Sequence, residues 1–254
     1  MYYKYHKYNL YYEKHGNSEN NIIILPGWGN TRNTFYKLID LLKKKYTVYI
    51  FDYPGFGNSP IINKDLTIYD YADIMNSFIK DNNINNINLV AHSFGGRISS
   101  ILLGKYNINI NKLILIDVAG IKRIKLKVLI KRYIYKLKKL LINIFPREKR
   151  YKIRKKLLNK YSSKDYLTLP INMHNTFKNI IKENLYKYYK KINIPTLIIW
   201  GEKDLDTPLK DAKKLKKIIK KSKLIIYNNS NHFSYLNNTD KTFEIIDNFI
   251  KKED

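Results

Sequence analysis

The chain has 254 residues and no cysteine, so it can form one large α/β domain with a sizeable core but neither a disulfide framework nor a Cys-based metal site. Its formal charge is +27, yet residues 121–191 hold 23 Lys and Arg against three acidic residues, a net of +20. The basic excess therefore belongs to one segment and is no general nucleic-acid footprint.

The apolar pattern alternates between strand and helix signals. Residues 2–12 are tyrosine-rich with loose alternation, which suits one or two edge strands, and His15-Gly16-Asn17 marks a turn. Asn21-Ile22-Ile23-Ile24-Leu25 is a short continuous apolar run, as expected of a strand buried on both faces; it stops at Pro26-Gly27-Trp28-Gly29. Residues 34–44 have helical spacing, and Thr47–Phe51 is the next strand, ending in a tight loop from Asp52 to Ser59. Leu66 to Asn82 reads as a helix with Ile68, Ala72, Met75 and Ile79 on one face. The run Ile87 to Ala91 ends abruptly at His92-Ser93, and Lys112–Asp117 gives a further strand. Alternation resumes at Pro195–Trp200, followed by a helix from Pro208 to Lys221, a strand from Lys223 to Tyr227, a loop containing His232 and a last helix near Thr239–Lys251. Strands alternating with helices predict a mostly parallel doubly wound sheet, which binds ligands at the carboxyl ends of its strands.

Residues 120–191 carry no strand signal. Leu126, Leu129, Ile130, Tyr133, Leu137, Leu140, Leu141 and Ile144 recur at helical spacing, with Lys127, Lys131, Lys138 and Lys139 largely opposite. That pattern predicts a basic amphipathic helix, with two or three more helices before Lys191. The expected division is a core of 1–119 and 192–254, with 120–191 inserted where it could lie over the ligand end of the sheet.

Ser93 stands at a strand-to-helix turn, with small residues two before (Ala91) and two after (Gly95). A serine held in a strained turn needs such neighbours, because larger side chains would collide there. A serine nucleophile also needs a base, a group that orients the base, and donors for an oxyanion. The loop Gly201-Glu202-Lys203-Asp204 offers an acid and Asn231-His232-Phe233 offers a histidine, in the chain order Ser93, Asp204, His232.

With Asp52-x-Pro54-Gly55-x-Gly57-x-Ser59, Gly201-x-x-Asp204-x-x-x-Pro208 and Asn231-His232-Phe233 in place, the chain resembles the α/β-hydrolase fold superfamily over residues 22–119 and 192–250. Pro26 departs from the family's usual histidine, and Ala91 from the first glycine of Gly-x-Ser-x-Gly. The resemblance implies a mostly parallel α/β-hydrolase sheet flanked by helices, with 120–191 as a helical lid. It implies acyl transfer: Ser93 as nucleophile, His232 as base, Asp204 as its orienting acid, and the backbone N–H groups of Trp28 and Phe94 as oxyanion donors. Asp117 and Asp206 are rivals for the acid; Asp52 reads as a loop-fixing residue, and His92 as one that shapes the elbow or pocket.

The expected activity is that of a serine esterase acting on an ester with an apolar acyl chain, the apolar side of the lid lining the pocket. The same triad could serve a C–C bond hydrolase, a lactonase, an amidase or an acyltransferase. A non-catalytic relative that binds a ligand or docks on a membrane is the alternative from another class. No metal or cofactor is implied. The first residues lack the apolar run of a secretory leader and no stretch is long enough to span a membrane, so a cytoplasmic protein is expected. Peripheral contact with an anionic membrane through the basic helix at 121–145 is a further expectation; nucleic acid is not expected, since no recognised module is present.

Overall fold

The computed structural model describes residues 1–106, 108–122, 126–144, 146–161 and 164–252. The side chains of Leu126, Lys127, Leu129, Lys131 and Lys139 lie outside what it describes. Eight strands form one sheet: β1 (Tyr2–Tyr5), β2 (Tyr8–His15), β3 (Asn21–Leu25), β4 (Thr47–Phe51), β5 (Ile87–His92), β6 (Lys112–Ile116), β7 (Thr196–Gly201) and β8 (Ser222–Tyr227), in the spatial order β1-β2-β4-β3-β5-β6-β7-β8. Only the tyrosine-rich β1 and β2 run antiparallel to their neighbours; β3 to β8 pair in parallel. The continuous apolar runs are the physical reason. In β5, β6 and β7 every residue is buried, because helices cover both faces of a parallel sheet.

The helices are α1 (Tyr36–Leu42), α2 (Ile68–Asp81), α3 (Phe94–Gly104), α4 (Leu126–Leu141), α5 (Arg147–Tyr161), α6 (Lys164–Thr168), α7 (His174–Lys182), α8 (Tyr186–Tyr189), α9 (Leu209–Ile218), α10 (Ser234–Asn237) and α11 (Thr239–Lys251). Ile39 and Leu42 of α1 and Ile246 of α11 pack with Ile22, Ile24, Val90 and Ile114 on one face of the sheet. On the other, Met75 and Phe78 of α2, Ile98 and Ile101 of α3 and Leu215 of α9 pack with Leu89, Leu113 and Ile198. Helix α2 begins with a capping box, in which Thr67 and Asp70 satisfy each other's backbone N–H groups.

Helices α4 to α8 all fall between β6 and β7, so the stretch from Arg147 to Lys191 holds four described helices where two or three were expected. Pro170 starts a separate 3₁₀ turn over Ile171–Met173 and divides the stretch further. The apolar stripe of α4 differs from expectation in another way. Ile130, Tyr133, Leu137, Leu140 and Leu141 are exposed to solvent, as is Ile144 just beyond, rather than lining a pocket. Among the described residues, no helix is long and apolar enough to cross a membrane.

Candidate active site

At the end of β5, Ser93 turns the chain from strand into helix with a positive φ, which residues other than glycine rarely adopt. Its φ is 48° and its ψ is −109°, and its N–H donates to the carbonyl of Ile116 on the neighbouring strand at 3.2 Å. Its carbonyl accepts from Gly96 and Ala119 at 3.1 and 2.9 Å, so the strained turn is held from both sides. A Cβ on Gly95 would collide with the carbonyl of Leu25, which explains the small residue two positions after the serine.

The loops after β7 and β8 bring the other two expected residues to the serine. His232 Nε2 lies 2.9 Å from Ser93 Oγ, and His232 Nδ1 lies 2.8 Å from Asp204 Oδ2. With the proton on Nδ1 and directed at Asp204, Nε2 is free to accept from the serine hydroxyl. Burial alone would raise the Asp204 carboxyl, but bonds from His232 and Thr207 outweigh it and hold the group below its ordinary value. Oδ1 accepts from the N–H groups of Asp206 and Thr207 at 2.8 and 2.9 Å, and Thr207 Oγ1 lies 2.6 Å from Oδ2. Burial likewise pushes the His232 imidazole down, and the bond to and charge of Asp204 outweigh it, leaving the group raised.

The rival acids stand elsewhere. Asp117 is fully buried, but its carboxylate accepts from the N–H of Gly201 at 2.7 Å and from Ser234 Oγ at 2.6 Å. Asp206 meets Asp204 through its backbone N–H. Asp52 accepts from Asn58 N–H at 3.0 Å and from Arg32, and its carbonyl accepts from Ser59 Oγ, as suits a residue that fixes its loop. His92 is buried and pushed down by that burial to about 3, so it is neutral, and its Nε2–H donates to the carbonyl of His232 at 2.9 Å. It fastens the loop that carries His232 to strand β5.

Phe94 opens α3 immediately after the serine, where a helix leaves its first N–H groups without intrahelical acceptors. Trp28 follows β3, and its indole packs against Phe94, Phe56 and Phe177 at 5.1, 4.8 and 5.5 Å between ring centroids. These rings make an apolar wall that joins the loop after β3, the first turn of α3 and helix α7. Arg97 of α3, half-buried, donates to the carbonyls of Ile180 and Glu183 at 3.2 and 3.3 Å and so anchors the end of α7.

Asp204, Asp206 and His232 bring possible metal ligands within 4.8 Å of one another. Both nitrogens of His232 are engaged with Asp204 and Ser93, so a cation there would compete with that chain. A hollow lined by Lys112, Pro195, Lys221 and Phe249 lies away from these residues, at the amino ends of β6 to β8, opposite to where such sheets bind ligands. Thr207 and Ser234 were not among the expected site residues. Their roles depend on which loops meet, and no local motif marks them.

A family model described as the alpha/beta hydrolase fold matches residues 20–239. A Mycoplasma genitalium protein provisionally named esterase/lipase 2 is 29% identical over 208 residues, covering 76% of this chain and 74% of that one. Lipase 3 of a Moraxella species is 27% identical over 233 residues, covering 83% of this chain and 71% of its own. Among solved structures, the enol-lactonase of Burkholderia xenovorans superimposes with a TM-score of 0.77 at 16% identity, covering 99% of this chain and 100% of the enzyme, a likeness of fold.

Proposed function

The chain belongs to the alpha/beta hydrolase fold family, and on that premise we propose that it is a serine hydrolase cleaving an ester or related acyl substrate. The observation that carries this reading is the continuous chain of bonds from Ser93 Oγ through His232 to Asp204, 2.9 and 2.8 Å long, assembled from three separate strand ends. Esterase and lipase names among the relatives support the choice of an acyl substrate.

Ser93 Oγ attacks the substrate carbonyl while His232 Nε2 takes its proton. Asp204 stays ionised, holds the imidazole tautomer and stabilises the imidazolium. The developing oxyanion is received by the N–H groups of Trp28 and Phe94. His232 then protonates the leaving alcohol, the tetrahedral intermediate collapses, and an acyl group remains on Ser93. Water deprotonated by His232 attacks that acyl-enzyme and releases the acid.

In this reading residues 120–191 are a lid on a core of 1–119 and 192–254. The packing of Phe177 on Trp28 and the anchor at Arg97 support that role for α7. The protein is cytoplasmic, and the basic stretch around α4 touches anionic membranes peripherally. Its support is the charge of residues 121–191 together with the exposed Leu137, Leu140 and Ile144. Sedimentation with anionic vesicles at low and high salt tests the contact; no binding at low salt removes it.

A panel of p-nitrophenyl esters of increasing acyl length tests the activity. Turnover by the wild type and its loss in Ser93→Ala is the expected result. Equal turnover by both proteins would overturn the assignment.

A further inference from the structure

Asp117 touches all three loops that leave β6, β7 and β8, although neither of its carboxylate oxygens bonds the His232 ring in the way Asp204 does. It follows β6 directly, is fully buried and has a φ of 47°. Its N–H donates to the carbonyl of Ile199 in β7 at 3.1 Å. Oδ1 accepts from the N–H of Gly201, three residues before Asp204, at 2.7 Å. Oδ2 accepts from the N–H and Oγ of Ser234, two residues after His232, at 3.2 and 2.6 Å. Its backbone carbonyl accepts from Thr207 Oγ1 at 3.0 Å, and that hydroxyl also lies 2.6 Å from Asp204 Oδ2 and 3.2 Å from His232 Nδ1. The loops meet so closely at this point that a Cβ on Gly201 would collide with the carbonyl of Asn231.

A carboxylate is an expensive residue for packing alone. Burial pushes the Asp117 carboxyl up to about 7 although Ser234 and Gly201 donate to it. Its bonding partners are neutral donors and none of them is a cation. A buried anion of this kind holds its place by using its lone pairs, and it weakens the fold wherever a neutral side chain would have served.

We propose that Asp117 is a positioning residue for the reaction at Ser93: its carboxylate latches the loop that carries His232 to the loop that carries Asp204, and its charge favours the imidazolium. The proposal rests on the serine-hydrolase reading. The groups that face Asp117 are Asp204 from the β7 loop, His232 from the β8 loop, Tyr227 at the end of β8 and Tyr235 in α10. His92 packs behind His232 from β5 and is held neutral by burial. His232 is thus the group in this set that gains a positive charge during turnover, and Asp117 acts on it as a further anion, after Asp204 and ahead of Asp206 in the β7 loop. Where Asp117 and His232 titrate over the same range, the acid limb of the activity profile belongs to the pair.

The test compares wild type, Asp117→Asn and Ser234→Ala by ester hydrolysis and by the rate of fluorophosphonate labelling between about pH 5 and 9, with thermal melting at the same pH values. Loosening the latch displaces reacting atoms, so Asp117→Asn is expected to lose roughly tenfold or more in kcat with KM little changed. Its acid limb should move to lower pH, because an anion beside His232 is gone. Its melting temperature at pH 8 should equal or exceed that of the wild type. The sign follows from linkage: a carboxyl raised to about 7 in the folded state weakens the fold as pH climbs from the ordinary carboxylate range to 7, and asparagine carries no such penalty. Ser234→Ala keeps the charge and should give a smaller loss with an unshifted limb.

An acid limb and kcat matching the wild type in Asp117→Asn would overturn the proposal. So would a melting temperature that falls in step with kcat, which assigns Asp117 to stability alone. A wild type that takes no label overturns the hydrolase reading and this one with it; a wild type that labels, with Asp117→Asn labelling identically, overturns only the positioning role.

Discussion

At the carboxyl ends of β5, β6, β7 and β8, four titratable side chains, His92, Asp117, Asp204 and His232, are packed together, and both oxygens of Asp117 and Asp204 accept hydrogen bonds. In α4 and α5 the chain does the opposite. Lys136, Lys149, Lys152, Arg154 and Lys155 are exposed, and so are several apolar residues beside them, Tyr133, Leu137, Leu140 and Tyr151 among them, with Ile144 just past α4 at 77%. The strand ends use few charges in fixed geometry, and each loop determines where the next one sits. The helical pair uses many charges in solvent, where one more or fewer changes little. Substitutions in the first region should therefore act on chemistry at full strength, and those in the second should be nearly silent with a small water-borne ester.

Ser93→Ala carries the largest expected effect, a loss on the order of 10⁴-fold or more in kcat/KM, measured on any ester the wild type turns over. Asp204→Asn comes next at roughly 10³- to 10⁴-fold, because the imidazole loses the acceptor that fixes its tautomer. If Asp204→Asn retained near-normal kcat, the acid would have to be sought elsewhere in the loops. The pH profile should fall on the acid side as His232 takes a proton. Since Asp204 raises that imidazole, the midpoint should lie above the ordinary histidine value of about 6.5, and it should drop in Asp204→Asn. Gly95→Ala drives a Cβ into the Leu25 carbonyl and should cost about 1–3 kcal/mol by denaturant titration, with activity reduced as the elbow shifts. At the small end, Lys136→Gln and Leu137→Gln should each alter stability by no more than about 0.5 kcal/mol and leave hydrolysis of a small ester unchanged, since both side chains are exposed. A loss of several kcal/mol at Leu137 would mean that the α4 stripe is packed after all and would erase the contrast.

The same contrast governs what is legible in the sequence alone. Strands β3 to β7 fall within about a residue of the apolar runs, because a strand buried on both faces has little freedom in composition. Ser93, Asp204 and His232 stand out as candidates because each follows such a run, in a recurring order, and the fold brings the three within hydrogen-bond reach. Helix α5 gave no stripe to read: Arg147-Glu148-Lys149-Arg150-Tyr151-Lys152 begins a segment that is polar nearly all round. Thr207, Ser234 and the bonding of Asp117 were hidden for a different reason. They are ordinary polar residues in sequence, and their importance comes from loops 84 to 117 positions apart that meet only in the fold. The short helix α10 escaped notice too, since four residues hold too few positions for any periodicity.

In the proposed reaction the bond chain through His232 makes the Ser93 hydroxyl a nucleophile. Intact mass after exposure to a fluorophosphonate, on wild type and Ser93→Ala in parallel, tests it most directly. A single adduct on the wild type and none on the variant is the expected result. A folded wild type that takes no adduct, or a variant that takes the same one, would contradict it.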